Sequence, residues 1–344
     1  MTDLSASTVS SQKSLAEAGW RQSLASAVRS FDVLSEILDL PLHALVGAAH
    51  RQQAHSNFPL LVPRSFVARM SRGNPLDPLL LQVMAQSAES LDVNGFVVDA
   101  VGDLASRTGA GLLQKYHGRA LLMVTGNCAV HCRYCFRRHY PYNQEPRRLT
   151  ELVRALDPVR SDSTITEIIL SGGDPLLVSD EKLEGLLMAI GQIPHIKRVR
   201  IHSRLPVVLP NRITDRLIGL LKSSRLRTFL VVHANHVNEL QHDCRDAIES
   251  MVSAGIPVLN QSVLLAGVND TEVALTSLCE RLIDMGVIPY YLHLLDRVSG
   301  ASHFEVPESK GRDLIAALRR VLPGYAVPRL VREVAGAPSK TAIG

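Results

Sequence analysis

The chain has no apolar run approaching the roughly 18 to 20 residues needed to cross a bilayer, so no helical membrane span is expected. Its opening, MTDLSASTVSSQ, is polar and lacks the apolar core of a secretory signal. There is no long Lys/Arg block with interleaved aromatics, and the net charge of +4 is spread along the chain, so nothing here resembles a nucleic-acid footprint. Cysteine is scarce, five residues in 344. Read as a cytoplasmic protein, the chain keeps those thiols reduced, and a tight group of them points to a metal or cluster site rather than a disulfide framework. What remains is an ordinary globular composition, 46% hydrophobic and 20% charged. The length suits one large α/β domain or two smaller ones with a sizeable core.

Up to about residue 115 the pattern is mostly helical. SLAEAGWRQSLASAVRSFDVLSEILDL and DPLLLQVMAQSAESLD carry apolar residues at helical spacing. From residue 119 short apolar, β-branched runs alternate with amphipathic segments. The runs are RALLMVT, ITEIILS, IKRVRIHS, TFLVVHA, IPVLNQSVLLAGV, VIPYYLHLL and YAVPRLVRE. The helix-like stretches between them include DEKLEGLLMAIGQI, ITDRLIGLLKSS, CRDAIESMVSAG, EVALTSLCERLIDMG and GRDLIAALRRVL, several ending in Gly. Strand then helix, repeated about every 30 residues, predicts an α/β fold with a parallel sheet. Six or so units could close wholly or partly into a barrel with its site at the C-terminal strand ends. Polar residues gather there: TGNC, SGGD, HSR, HANH, NQS and HLLD each follow an apolar run. The expected organisation is a helical cap over 1–115, a core barrel over 116–325 and a C-terminal segment over 326–344.

Three of the five cysteines, Cys128, Cys132 and Cys135, fall in GNCAVHCRYCFRR with the spacing C-x3-C-x2-C. Three thiolates on one loop can reach one centre. A zinc ion wants four closed ligands, or three and water, and His131 or His139 could supply the fourth. A 4Fe–4S cluster usually takes four cysteines, so three leave one iron open to a small molecule. Cys244 and Cys279 lie in helix-like segments and are expected to be packing residues.

This loop, with Tyr134 before its third cysteine and a strand before the loop, resembles the signature of radical S-adenosylmethionine (radical SAM) enzymes. The resemblance implies a partial (β/α)6-type TIM-like barrel and a cluster whose open iron chelates SAM. One electron then cleaves SAM to methionine and a 5′-deoxyadenosyl radical. Ser171, Gly172, Gly173 and Asp174 match the family element that contacts the methionine end of SAM. His233, Asn235 and Gln261 would touch its adenosine or ribose end, though Asn235 reads equally well as a polar cap on loop backbone.

Further segments, RYCFRR, SGGDPL, RLPVVLPNRIT, NQSVLLAGVND, PYYLHLLD, SHFEVP and GYAVPRLVRE, resemble in order the lysine 2,3-aminomutase family over about residues 70 to 344. That family adds pyridoxal phosphate, carried on a lysine near the C-terminus. The matching residue is Lys340, in GAPSKT. The family's phosphate contacts fall on Lys115, Tyr116 and Arg119, the first usually being arginine. Arg137 matches the arginine that forks onto the substrate carboxylate. Asp296 and Glu333 match the two acids that hold the distal ammonium of lysine, the second being Asp in the clostridial-type enzymes.

Two carboxylates favour a cationic side chain. The implied reaction moves the amino group of free L-α-lysine from Cα to Cβ. The clostridial-type enzymes continue beyond the pyridoxal lysine, whereas this sequence ends at Gly344. With RVSGASHF and GAPSKT it resembles the bacterial branch that makes (R)-β-lysine for translation elongation factor P (EF-P), where a separate ligase attaches the product. An electron donor such as flavodoxin or ferredoxin is then expected, no nucleic acid or membrane is, and a homodimer stays open. The alternatives are an aminomutase for another cationic amino acid, a radical SAM enzyme without pyridoxal phosphate, and a zinc-binding module that is not an enzyme.

Overall fold

The computed structural model describes residues 19–41 and 58–343. These residues form one ten-stranded sheet whose strands lie side by side in chain order. A short hairpin, β1 (Arg107–Gly109) and β2 (Leu112–Leu113), opens it. Seven mutually parallel strands follow: β3 (Arg119–Thr125), β4 (Glu167–Gly172), β5 (Arg198–Ser203), β6 (Arg227–Val232), β7 (Val258–Val263), β8 (Ile288–His293) and β9 (Arg329–Arg332). A last short strand, β10 (Thr341–Ala342), runs antiparallel to β9. Each of the seven predicted apolar runs contains one parallel strand. The hairpin and β10 are additions that the apolar pattern does not announce.

The helices on the outer face are α1 (Asp180–Gly191), α2 (Asp215–Ser223), α3 (Asp243–Ser253), α4 (Glu272–Asp284) and α5 (Glu308–Val321). Ser179, Thr214 and Thr271 cap α1, α2 and α4 by accepting a backbone N–H two or three residues into the helix. Gly255 (φ 80°) and Gly286 (φ 73°) take the left-handed turn just beyond α3 and α4. Shorter helices, Leu149–Arg154 and Asp157–Ser161, fill the first crossover, which is broken by Pro158.

Strand residues alternate between two faces. The register row Ile168, Val199 and Thr228 is buried and turns outward, and Leu183, Leu186, Leu217 and Ile248 of the helices pack on the same side. The next row, Leu121, Ile169, Arg200 and Phe229, lines an internal cavity instead. A central cavity requires the sheet to curl, yet among the described residues no strand pairs β1 with β10. The opening is bridged by side chains and loops. Lys115, before β3, reaches Glu333, just past β9, with Nζ 3.3 Å from Oε1. A Cβ added at Gly102 would stand 3.1 Å from Ala335 Cβ, so these two segments pack directly.

The N-terminal part is less helical than its periodicity predicts. Residues 14–18 of the first predicted helix lie outside the described residues; 19–25 and Phe31–Leu38 are helical. The stretch over 77–92 resolves into Pro78–Leu81, capped by Asp77, and a single 3-10 turn, Ser87–Ser90. Its task is to cover the loop after β3. His131 N–H donates to Leu61 O at 2.9 Å, Arg133 N–H donates to Gln82 O at 2.8 Å, and the Arg133 guanidinium reaches Phe58 O at 2.6 Å. Glu89 pairs with both Arg133 and Arg138.

If the outward row is the core, Leu230→Ala in β6, which is fully buried, should cost about 2–5 kcal/mol in urea unfolding. Val273→Ala on the exposed face of α4 should stay within about 0.5 kcal/mol. Equal effects would show that the layers are assigned wrongly.

Candidate active site

A cavity of about 820 Å³ occupies the concave face of the sheet, at the upper end of the usual size for a ligand pocket. Its wall takes in residues at or past the C-terminal ends of the strands, such as Ser203, His233 and Asp296, and also first residues of strands, such as Arg119, Glu167 and Arg329. It therefore extends along the strands rather than resting on one end as the sequence pattern suggests. Sixteen of the seventeen residues singled out from the sequence line it; the exception is Asn235.

Cys128, Cys132 and Cys135 occupy the loop after β3, and all three are free thiols facing the cavity. Burial, then the charge of Cys132, pushes Cys135 up to about 11. Burial, then Cys135, Asp174 and Cys132, pushes Cys128 well above its ordinary value. Three thiolates crowded into a buried wall repel one another, and a cationic centre relieves that repulsion by displacing their protons. The loop thus fits a metal cluster. The two candidate fourth zinc ligands are engaged elsewhere. His131 places Nδ1 2.8 Å from Pro59 O and stacks on Phe58, and His139 places Nε2 3.1 Å from Ser299 O. Cys244 and Cys279 are buried in the packing.

Gly172 and Gly173 end β4 against the loop that carries the cysteines. A Cβ at Gly172 would stand 2.4 Å from Thr125 O, and one at Gly173 2.2 Å from Asn127 O. Both clashes are with backbone, so glycine is needed for this approach. Gly173 N–H then donates to Thr125 O at 2.7 Å, and Asp174 N–H to Asn127 O at 2.8 Å. The Asp174 carboxylate accepts from Ser203 Oγ (2.8 Å), Arg204 N–H (2.8 Å), Leu205 N–H (3.2 Å) and Leu176 N–H (3.1 Å). Burial still pushes it up to about 6, against those four donors. Ser171 Oγ receives Arg137 at 3.1 Å.

A line of alternating charges crosses the gap in the sheet. Arg137 Nε lies 2.6 Å from Asp103 Oδ2, and Lys115 Nζ lies 2.7 Å from Asp103 Oδ1 and 3.3 Å from Glu333 Oε1. Glu333 also binds Lys340 Nζ. Antiparallel pairing of Thr341 with Arg332 sets Lys340 beside Glu333, and its Nζ also lies 5.9 Å from the centre of the Tyr291 ring. Burial would raise Glu333, but Lys340 and Lys115 outweigh it and hold the carboxyl below its ordinary range. Asp103 is likewise lowered, its burial outweighed by Arg137 and Lys115. Asp296 goes the other way: burial pushes it up to about 7, with Lys340 opposing and Glu333 reinforcing. The Arg119 guanidinium stacks 4.7 Å from the Tyr116 ring, and burial, then Glu333, keeps the Tyr116 hydroxyl un-ionised.

Gln261 lines the cavity at β7. His233 does so with its Nε2 buried and unpartnered, as do His202 and His293. Burial, then Arg204, Lys340 and Arg137, pushes His233 down to about 4. His202 and His293 are held well below their ordinary value by burial first. Three neutral imidazoles with an open nitrogen are the mark of a wall built for polar ligands. Asn235 sits outside that wall. Its amide donates to Tyr134 Oη (2.8 Å) and Gln82 Oε1 (3.0 Å) and accepts from Val263 N–H (2.8 Å). Asp103, His202, His293 and Tyr291 belong to the site without being singled out from the sequence. The HSR and HLLD runs at strand ends were the available signal for the two histidines.

A curled parallel sheet with a three-cysteine loop after its first parallel strand defines a radical SAM protein, and residues 122–278 match the radical SAM superfamily. The chain is 45% identical over 322 residues to L-lysine 2,3-aminomutase of Escherichia coli (strain K12), covering 94% of this chain and 93% of that protein. The Haemophilus influenzae protein of that name is 42% identical, covering 94% of this chain and 95% of its own. The Clostridium subterminale one is 33% identical, covering 94% and 77%. The chain belongs to the L-lysine 2,3-aminomutase family. Its cofactors are a 4Fe–4S cluster, SAM and pyridoxal phosphate.

Because Gly173 carries no side chain where Asn127 O stands, Gly173→Ala should displace the cysteine loop. After anaerobic reconstitution, iron and sulfide per chain should fall to a small fraction of wild type. Full cluster content in this variant would show that the approach of β4 does not hold the loop.

Proposed function

We propose that this chain isomerises free L-lysine to β-lysine in the cytoplasm. The observation that carries this reading is that the cysteine loop, Lys340 and the acidic pair Asp296 and Glu333 share one cavity. The family membership supports it. Cys128, Cys132 and Cys135 would hold the cluster, leaving one iron for SAM. Lys340 would carry pyridoxal phosphate, with Lys115, Tyr116 and Arg119 toward its phosphate and Ser171 to Asp174, His233, Asn235 and Gln261 toward SAM. When bound, these groups supply a carbon-centred radical and a carrier for the migrating nitrogen.

The protein's own part is to bind and orient. Arg137, braced by Asp103 and Ser171, presents a fixed guanidinium to the substrate carboxylate. Asp296 and Glu333 take the distal ammonium. In this structure the Lys340 ammonium occupies Glu333, standing in for that substrate group. The covering segment from Phe58 to Glu89 packs over the cysteine loop through Arg133. Resemblance in RVSGASHF and GAPSKT supports the finer reading, that the product is (R)-β-lysine destined for EF-P through a ligase, with reduction by flavodoxin or ferredoxin.

The direct test is anaerobic: protein reconstituted with iron, sulfide and pyridoxal phosphate, then SAM, dithionite and L-lysine, with β-lysine read by chiral chromatography and mass detection. SAM-dependent β-lysine is expected. SAM cleavage without β-lysine would retain the cysteine loop's role and reject the substrate. Lys340→Ala should abolish turnover while iron and sulfide stay at wild-type content; wild-type turnover in this variant would remove the pyridoxal assignment.

Asp296 gives a pH signature. The ammonium pairs with the ionised carboxyl, so lysine affinity is full well above about 7, where Asp296 has lost its proton, and weakens as pH falls through that value. Lys340, Glu333, Lys115 and Asp103 are the charges that set this value. Asp296→Asn should raise the KM for lysine roughly ten- to hundredfold, the loss of a charged hydrogen bond, and flatten that pH limb. A KM that keeps its pH dependence in this variant would assign the titration to another group.

A further inference from the structure

Beside the cysteine loop, in the wall of the same cavity, lies a buried polar group that neither binding nor positioning of lysine uses. Arg204 follows the last residue of β5 and is 7% exposed. One guanidinium nitrogen, Nη1, donates to Cys132 Sγ at 2.7 Å. The other, Nη2, donates to Gln82 Oε1 at 2.7 Å and Glu239 Oε2 at 2.9 Å. The planar group is held near two rings, its Cζ 5.3 Å from the centre of Phe66 and 5.6 Å from that of Tyr134. Glu239 is fully buried, and its second oxygen accepts from Gln82 Nε2 (3.0 Å), Asn235 N–H (2.9 Å) and His236 N–H (3.1 Å). The backbone of Arg204 is fixed in turn by Asp174.

A buried ion pair is a poor way to gain stability, because apolar side chains of the same volume would pack as well. Its geometry here has a direction: a positive charge and an N–H are aimed at the sulfur of one cysteine. A cluster becomes more negative when it takes up an electron, and a donor or cation at a ligand sulfur stabilises that state. Glu239 tethers the guanidinium and tempers its field.

We infer that Arg204 is a positioning residue for the redox chemistry of the site: acting through Cys132 and held by Glu239, it raises the potential at which the cysteine-held cluster accepts its electron. This rests on the reading of the three cysteines as cluster ligands.

The test is a redox titration of the anaerobically reconstituted protein without SAM, with the reduced cluster read by electron paramagnetic resonance. Arg204→Gln should make the cluster about tenfold harder to reduce, about 59 mV lower for a one-electron couple. Arg204→Lys, which keeps the charge, should fall between that variant and wild type. Glu239→Gln, which removes the tempering charge, should shift the potential upward. An unmoved potential in Arg204→Gln, or a downward shift in Glu239→Gln, overturns the inference. Should Arg204→Gln take up no cluster, Glu239→Gln decides: an upward shift supports the inference and an unchanged potential overturns it. Absence of iron and sulfide from the wild-type protein would instead reject the cluster reading, so the two failures are distinct.

Discussion

The row of charges Arg137, Asp103, Lys115, Glu333 and Lys340 is the constraint on which the site depends. A sheet of seven parallel strands flanked by short antiparallel strands does not close through hydrogen bonds between its edges. Here the edges meet through ions. Asp103 and Glu333 are each shared by two cations, so every internal member of the row has an opposite charge on both sides. Removing one from a buried row strands its neighbours, which typically costs about 3–5 kcal/mol. The same contacts fix four segments distant in sequence: the covering strap before β1, the entry to β3, the cysteine loop and the chain after β9.

The cysteine loop is held from two further sides. From the sheet, β4 ends in two glycines that admit the backbone of Thr125 and Asn127, and Asp174 carries the contact on to the turn after β5. From the N-terminal side, Leu61 and Gln82 accept loop amides and Glu89 gathers Arg133 and Arg138. A loop with three thiols has little regular structure of its own to hold it. Its shape comes from what surrounds it, which suits ligands that must keep their positions.

The parallel strands and outer helices were legible because each carries its own period: β-branched runs about six residues long, then amphipathic stretches, three of them with a capping hydroxyl. The hairpin over 107–113 and β10 were not. Strands of two or three residues have no period, and their pairing is decided by the partner. The apolar spacing over 77–92 suggested a helix, yet Asp77, Pro78 and contacts to the cysteine loop yield short turns. At the site, residues inside motifs could be found from spacing and resemblance. Asp103, Gln82 and Glu239 could not, since each is polar, lies in no motif and gains its meaning from a neighbour over 30 residues away; Arg204 lies inside HSR and RLPVVLPNRIT, but nothing in either run points to its contact with Cys132.

Charge balance explains why a cavity of this kind suits a dibasic amino acid. Among the groups at its heart, Asp103, Asp296 and Glu333 face Arg137, Lys115 and Lys340. Even with that balance, Asp296 is pushed up to about 7, so its ionised form is the least well satisfied of the three. In the proposed function Lys340 is committed to a cofactor and its ammonium is withdrawn from Glu333. The acidic pair is then short of one positive charge. The side chain of lysine returns that charge, while its carboxylate meets Arg137. A glutamate side chain would add a third negative charge beside the pair, and a neutral one would leave the pair with Lys115 on Glu333 but without the second cation. On that reading, selection for lysine would follow from the deficit rather than from a close steric fit along the side chain.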